Sequence, residues 1–163
     1  MIPRASSRRN AVTKLKQLIN GGLLAFGLSG SSLVAAQLHL DQFWIRAMPP
    51  TQTMTAAYGL LSNRGNAPAV ITGASSVLAT DTTLHESRQT GDRMTMVPVT
   101  DLTLAPGEVL ELKPGGLHLM LMGITAMPSA GAEVEICLLS VEDKTCGTAI
   151  VQRDADSMNH HHH

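Results

Sequence analysis

Residues Leu117 to Met122 read Leu-His-Leu-Met-Leu-Met, and that strict alternation leaves little choice of backbone. Successive side chains of a strand point to opposite faces, whereas a helix would scatter the three leucines around its circumference. Leu117, Leu119 and Leu121 therefore share the buried face, and His118, Met120 and Met122 share the other. Arg93-Met94-Thr95-Met96 places Met94 and Met96 on one face in the same way. Beyond residue 37 the chain continues as short alternating segments: Leu40–Ala47, Ala57–Ser62, Ala69–Ala74, Thr82–Ser87, Met94–Val99, Val109–Leu112, Leu117–Gly123, Glu133–Leu139 and Thr148–Gln152. Between them stand Met48-Pro49-Pro50, Asn63-Arg64-Gly65-Asn66, Thr90-Gly91-Asp92, Ala105-Pro106-Gly107 and Lys113-Pro114-Gly115-Gly116, each with the residues a turn requires. No long helical stripe interrupts them, although a short helical turn in a loop is compatible with the pattern. Many short strands at this spacing predict an all-β sandwich or barrel.

The first 36 residues read differently. Arg4, Arg8, Arg9, Lys14 and Lys16 precede an apolar, small-residue run from Gly21 to Ala36, and Val34 and Ala36 suit the −3 and −1 positions of a cleavage site. Residues 1–36 are thus expected to be an export signal, with a mature chain from Gln37 and a periplasmic destination. The run is short and diluted by Gly and Ser, so a span of the mature protein across a membrane is not expected. Residues 37–153 form the expected domain. Residues 154–163 are a polar tail ending in His160–His163, either a native metal-gathering segment or a purification tag. A net charge of −1, no basic stripe after residue 37 and 2% aromatic residues argue against a nucleic-acid partner.

The chemistry lies in the histidines and methionines. Imidazole nitrogen and thioether sulfur are neutral, fairly soft donors that suit copper(I). A thioether forms no disulfide and binds without losing a proton, an advantage outside the cytosol, where thiols are oxidised. Taken singly, His85 or His118 would be an ordinary solvated or hydrogen-bonded side chain, and Met120 or Met122 a gap-filler. The leucines of Leu117–Met122 already supply the core, however, so its methionines must face outward, where an apolar side chain without a task is uncommon. Packing and ligation weigh about evenly for Met94 and Met122. Met54, on an expected loop, suits packing or a lid over an open site. Met48 and Met127 are expected to be structural, Trp44 and Tyr58 to fill the core, and Arg46 and Arg88 to be solvated. Glu86, beside His85, is too hard a donor for copper(I).

Ten residues separate His85 from Met96, twenty-one separate Met96 from His118, and one separates His118 from Met120. This H-x10-M-x21-H-x-M spacing resembles the signature of the PCuAC family of periplasmic copper chaperones. Trp44-Ile45-Arg46-Ala47, Pro49-Pro50, Ala56-Ala57-Tyr58, Ser62-Asn63 and Lys113-Pro114-Gly115-Gly116 are similar to that family as well. The likeness runs from about Phe43 to Val151. It implies a cupredoxin-like Greek-key β-sandwich and a copper(I) site at the surface made by His85, Met96, His118 and Met120. It further implies delivery of copper to the CuA centre of cytochrome c oxidase, often beside a Sco-type partner. The cysteine pair and the histidine tail are not part of the family pattern.

Cys137 and Cys146 flank an expected turn, and after export a disulfide is the default for such a pair. Four rival functions remain readable, the plainest a structural sandwich whose His/Met face binds no metal. An electron-transfer cupredoxin needs a cysteine near its histidines and methionine, and none stands near His118 or Met120. A copper storage or resistance protein would use the same donors. A histidine-brace oxygenase needs histidine as its first mature residue, which Gln37 is not. No nucleophile elbow, HExxH or paired-carboxylate motif supports hydrolysis. The chain is therefore expected not to be an enzyme.

Overall fold

The computed structural model describes residues 35–153. The expected export signal, apart from its last two residues, and the histidine tail lie outside the described residues. Ten strands follow in chain order: β1 (Leu38–Arg46), β2 (Met54–Asn63), β3 (Ala69–Ser76), β4 (Asp81–Thr90), β5 (Arg93–Pro98), β6 (Leu102–Leu104), β7 (Val109–Leu112), β8 (Leu117–Met122), β9 (Glu133–Ser140) and β10 (Lys144–Gln152). Among the described residues there is no helix. They hydrogen-bond in the order β5-β4-β8-β2-β1-β10-β9-β3-β6, with β7 also paired to β2. Parallel pairing of β1 with β10 joins two otherwise antiparallel halves.

The two halves close over one core. Ile45, Ala57, Leu119 and Leu121 from β1, β2 and β8 meet Ile136, Ala149, Val151 and Leu104 from β9, β10 and β6, all essentially without solvent contact. The all-β sandwich expected from the alternation is the fold observed, in keeping with the cupredoxin-like architecture that the family resemblance implies. Leu119 and Leu121 are the strongest cases: both point inward at 0% exposure while their neighbours Met120 and Met122 stay half-buried on the outer face.

Three boundaries differ from expectation for a physical reason. β4 continues to Thr90 because it forms a hairpin with β5, so His85 sits in mid-strand and not beside a turn. β6, which the sequence pattern did not reveal, is only three residues long and exists through pairing with β3. β10 begins at Lys144 because its cysteine is tied to β9.

Cys137 and Cys146 are directly opposed on β9 and β10, with Cα atoms 4.0 Å apart, and are joined as a disulfide. Neither thiol is therefore free to bind metal, although Glu135 lies close to both sulfurs. The closed loop is short, so the bond is expected to contribute about 2–3 kcal/mol. Cys137→Ser/Cys146→Ser should lower stability in urea by about that amount. The strands β4, β5 and β8 lie elsewhere in the sheet, so metal binding by the folded variant should be unchanged.

Candidate metal centre

Residues paired across a sheet share a face, and the register of β5-β4-β8-β2-β1 decides what lies beside what. His85 on β4 is directly opposite His118 on β8. Their rings stack 6.3 Å apart, centroid to centroid. Met120 is flanked by Thr83 on β4 and Ala56 on β2, and Met122 by Asp81 and Met54. Met96 on β5 pairs with Ser87, two residues along β4 from His85. The four candidate ligands therefore occupy one face of three adjacent strands, although 35 positions separate the first from the last.

The face continues sideways as a row of rings. Trp44 on β1 pairs with Tyr58 on β2, their rings 4.6 Å apart, and Tyr58 lies 6.2 Å from His118. Trp44 and Tyr58 are buried, as expected, but on this face and apart from the main core cluster. Burial pushes the Tyr58 phenol above its ordinary value, and the nearby Arg46 charge offsets part of that rise. The phenol thus stays protonated at neutral pH and is not an anionic ligand.

His118 carries the most specific signal. It is only 2% exposed. Its Nδ1 lies 2.9 Å from the carbonyl oxygen of Gly116. A carbonyl only accepts, so Nδ1 carries the hydrogen and donates it. A proton on Nδ1 leaves Nε2 as the atom that can offer a lone pair to a metal, and that atom is buried without a hydrogen-bond partner. A buried acceptor left unpaired is costly unless something else fills its lone pair. The turn Lys113-Pro114-Gly115-Gly116 makes this possible: Gly115 adopts φ 76°, in the left-handed region that favours glycine, and the chain turns back so that the Gly116 carbonyl meets the ring.

His118 lines an open cavity of about 240 Å³ together with Met96, Met120, Met54, Met48, Tyr58 and Arg46. His85 is not among the residues lining it and stands at its flank, its Nδ1 3.2 Å from Thr83 Oγ1. Met96 and Met94 are 58% and 60% exposed on the edge strand, and Met54 is 48% exposed. Met94 pairs with Gln89, two positions further out than Met96. Met54 is the first residue of β2 and not a loop residue, because Met122 holds it in register. Arg88 is exposed and paired with Glu86, as a solvated residue would be. Arg46 is not solvated: it is half-buried over the Tyr58 ring, with Cζ 5.5 Å from the centroid. Nothing local in the sequence marks Arg46 as a site residue. Its position at the end of β1, beyond the bulge between Asp41 and Trp44, is a result of pairing.

Residues 38–150 match the family described as LpqE-like lipoproteins. The chain belongs to the LpqE-like family. A relative from Leifsonia xyli subsp. xyli (strain CTCB07), Lxx21020, also described as a lipoprotein, is 31% identical over 123 residues, covering 75% of this chain and 73% of the relative. Among solved structures, the copper-bound PCuAC domain from PmoF2 superposes with a TM-score of 0.61 at 21% identity, over 74% of this chain and 97% of that domain. CuI-DR1885 from Deinococcus radiodurans gives 0.57 at 29% identity, over 80% and 87%. The first of these establishes shared fold alone. In this LpqE-like chain the outer face of that fold carries the His/Met cluster.

Proposed function

We propose that this LpqE-like protein is an exported, periplasmic copper(I) chaperone and not an enzyme. His85, Met96, His118 and Met120 would hold one copper(I) ion and release it to a protein acceptor, with the CuA centre of cytochrome c oxidase or a Sco-type protein as the leading choice. The observation that carries the reading is the lone pair at His118 Nε2, buried, oriented by Gly116 and otherwise unused. Its cavity is shared with Met96 and Met120. Neutral imidazole and thioether donors suit a monovalent d¹⁰ ion better than a hard divalent one. The CuI form of the 29% identical DR1885 supports the cargo, and the lipoprotein descriptions of the family and of a relative support the export.

Release follows from the same geometry. Met96 sits exposed on the edge strand β5, so an acceptor's thiolate can displace the thioether most open to solvent first. Met54 lines the cavity with Met120 and would serve as a lid, whereas Met122, its partner across the sheet, is not among the lining residues. An anaerobic copper(I) titration against a colorimetric chelator, with His160–His163 replaced by serine, tests the site. One tight equivalent is expected, weakened about 10- to 100-fold by Met96→Ala, in the range that loss of one supporting ligand-shell group produces. Met96 is exposed, so this substitution leaves the fold intact. Binding indifferent to it would remove Met96 from the site.

A further inference from the structure

The cavity that holds the candidate ligands for a cation is lined by a cation. Arg46 is the last residue of β1. Its neighbour Ile45 pairs with Ala57, so Arg46 lies alongside Ala56, and Ala56 in turn pairs with Met120. Arg46 and Met120 are thus two strand spacings apart, about 10 Å between backbones, with the small Ala56 at the intervening position of β2. The guanidinium is held over Tyr58, the ring next to His118. Among the described residues the ion pairs join Arg64 to Asp41, Arg88 to Glu86 and Lys113 to Glu111. None of these carboxylates pairs with Arg46.

An uncompensated guanidinium beside a metal site weakens every cation held there, but not equally. The repulsion scales with the charge of the ion. A half-buried position limits screening by salt, and a guanidinium cannot relieve the conflict by losing its proton. Resting on the hypothesis of a His/Met copper(I) site, we infer that Arg46 is its specificity-determining residue. It disfavours divalent ions, copper(II) and zinc(II) alike, more strongly than copper(I). Ligand softness discriminates by chemistry; Arg46 adds discrimination by charge. At a separation of about 8–10 Å and an intermediate effective dielectric, the penalty is on the order of tenfold in affinity per unit of ion charge. Copper(I) then loses about tenfold and copper(II) about a hundredfold.

The test uses the full chain with His160–His163 replaced by serine, since four imidazoles would bind divalent ions themselves. Copper(I) affinity, copper(II) affinity and the reduction potential of bound copper are measured for the parent, Arg46→Gln, Arg46→Met and Arg46→Lys. Both neutral variants should gain about tenfold more for copper(II) than for copper(I), so the potential should fall by about 59 mV, the tenfold equivalent for one electron. Arg46→Lys should keep the parent potential. An unchanged potential in both neutral variants would overturn the inference and leave Arg46 as packing for Tyr58. If Arg46→Lys fell as far as Arg46→Gln, charge would be excluded as the cause. A parent without tight copper(I) binding would sink the copper reading itself, and the inference with it. That failure is distinguishable, because the first titration alone reveals it.

Discussion

His118→Phe is expected to abolish tight copper(I) binding, lowering affinity by more than about 100-fold, while the apo protein stays folded and loses at most about 1 kcal/mol of stability. The two halves of that expectation have one cause. In the metal-free protein the ring gains a single hydrogen bond, Nδ1 to the Gly116 carbonyl, which is worth about 1 kcal/mol net. Against it stands the desolvated, unpartnered Nε2, a cost of about 1–3 kcal/mol. Phenylalanine has a similar shape, removes both terms and keeps the ring contact with Tyr58. A histidine kept for packing would show the reverse, with stability lost and binding untouched. Urea unfolding of the apo protein and the chelator titration, run on the same sample, decide between them. A drop in stability of several kcal/mol with binding retained would remove His118 from the site.

Asn63→Ala is expected to be the most damaging single change to the fold itself, costing about 3–5 kcal/mol. Asn63 ends β2 and has no solvent exposure. Its Nδ2 donates to the carbonyls of Ala67 and Leu104, and its Oδ1 accepts from the amides of Gly65 and Gln37. One side chain thereby ties the start of β1, the turn after β2 and the end of β6. Truncation leaves two buried carbonyls and two amides to find other partners. Thermal unfolding measures the effect; a shift of less than about 1 kcal/mol would mean that water replaces the amide in all four roles. Copper(I) affinity of the folded fraction should be unchanged, since none of these groups lines the cavity.

Several features were legible in the residues themselves. Alternation in Leu117–Met122 dictated which side chains of β8 are core and which are not, because a strand has a period of two whatever it packs against. Turn residues located most strand ends for the same local reason. The turn between Cys137 and Cys146 could be read, but their direct opposition is a matter of register, which the structure supplies. The extension of β4 to Thr90 and the existence of β6 could not be read, since both depend on a neighbouring strand supplying hydrogen bonds.

The candidate site divides along the same line. Donor chemistry singled out histidines and methionines as a class, because ligand type is a property of the residue, and the resemblance to the PCuAC spacing picked His85, Met96, His118 and Met120 among them. Their assembly is a property of register. His85 faces His118 only because β4 pairs with β8 without a slip, and a one-residue shift would turn either ring into the core. The tautomer of His118 is decided by a carbonyl two residues away on a glycine turn. Arg46 shows the limit most clearly: by composition it is a polar surface residue, and by pairing it is a cation lining the cavity. Sequence alone determined the alternation, the turns and the donor set, which are local. The tertiary structure decided which charges and lone pairs share a desolvated space, since burial and pairing belong to the assembled sheet.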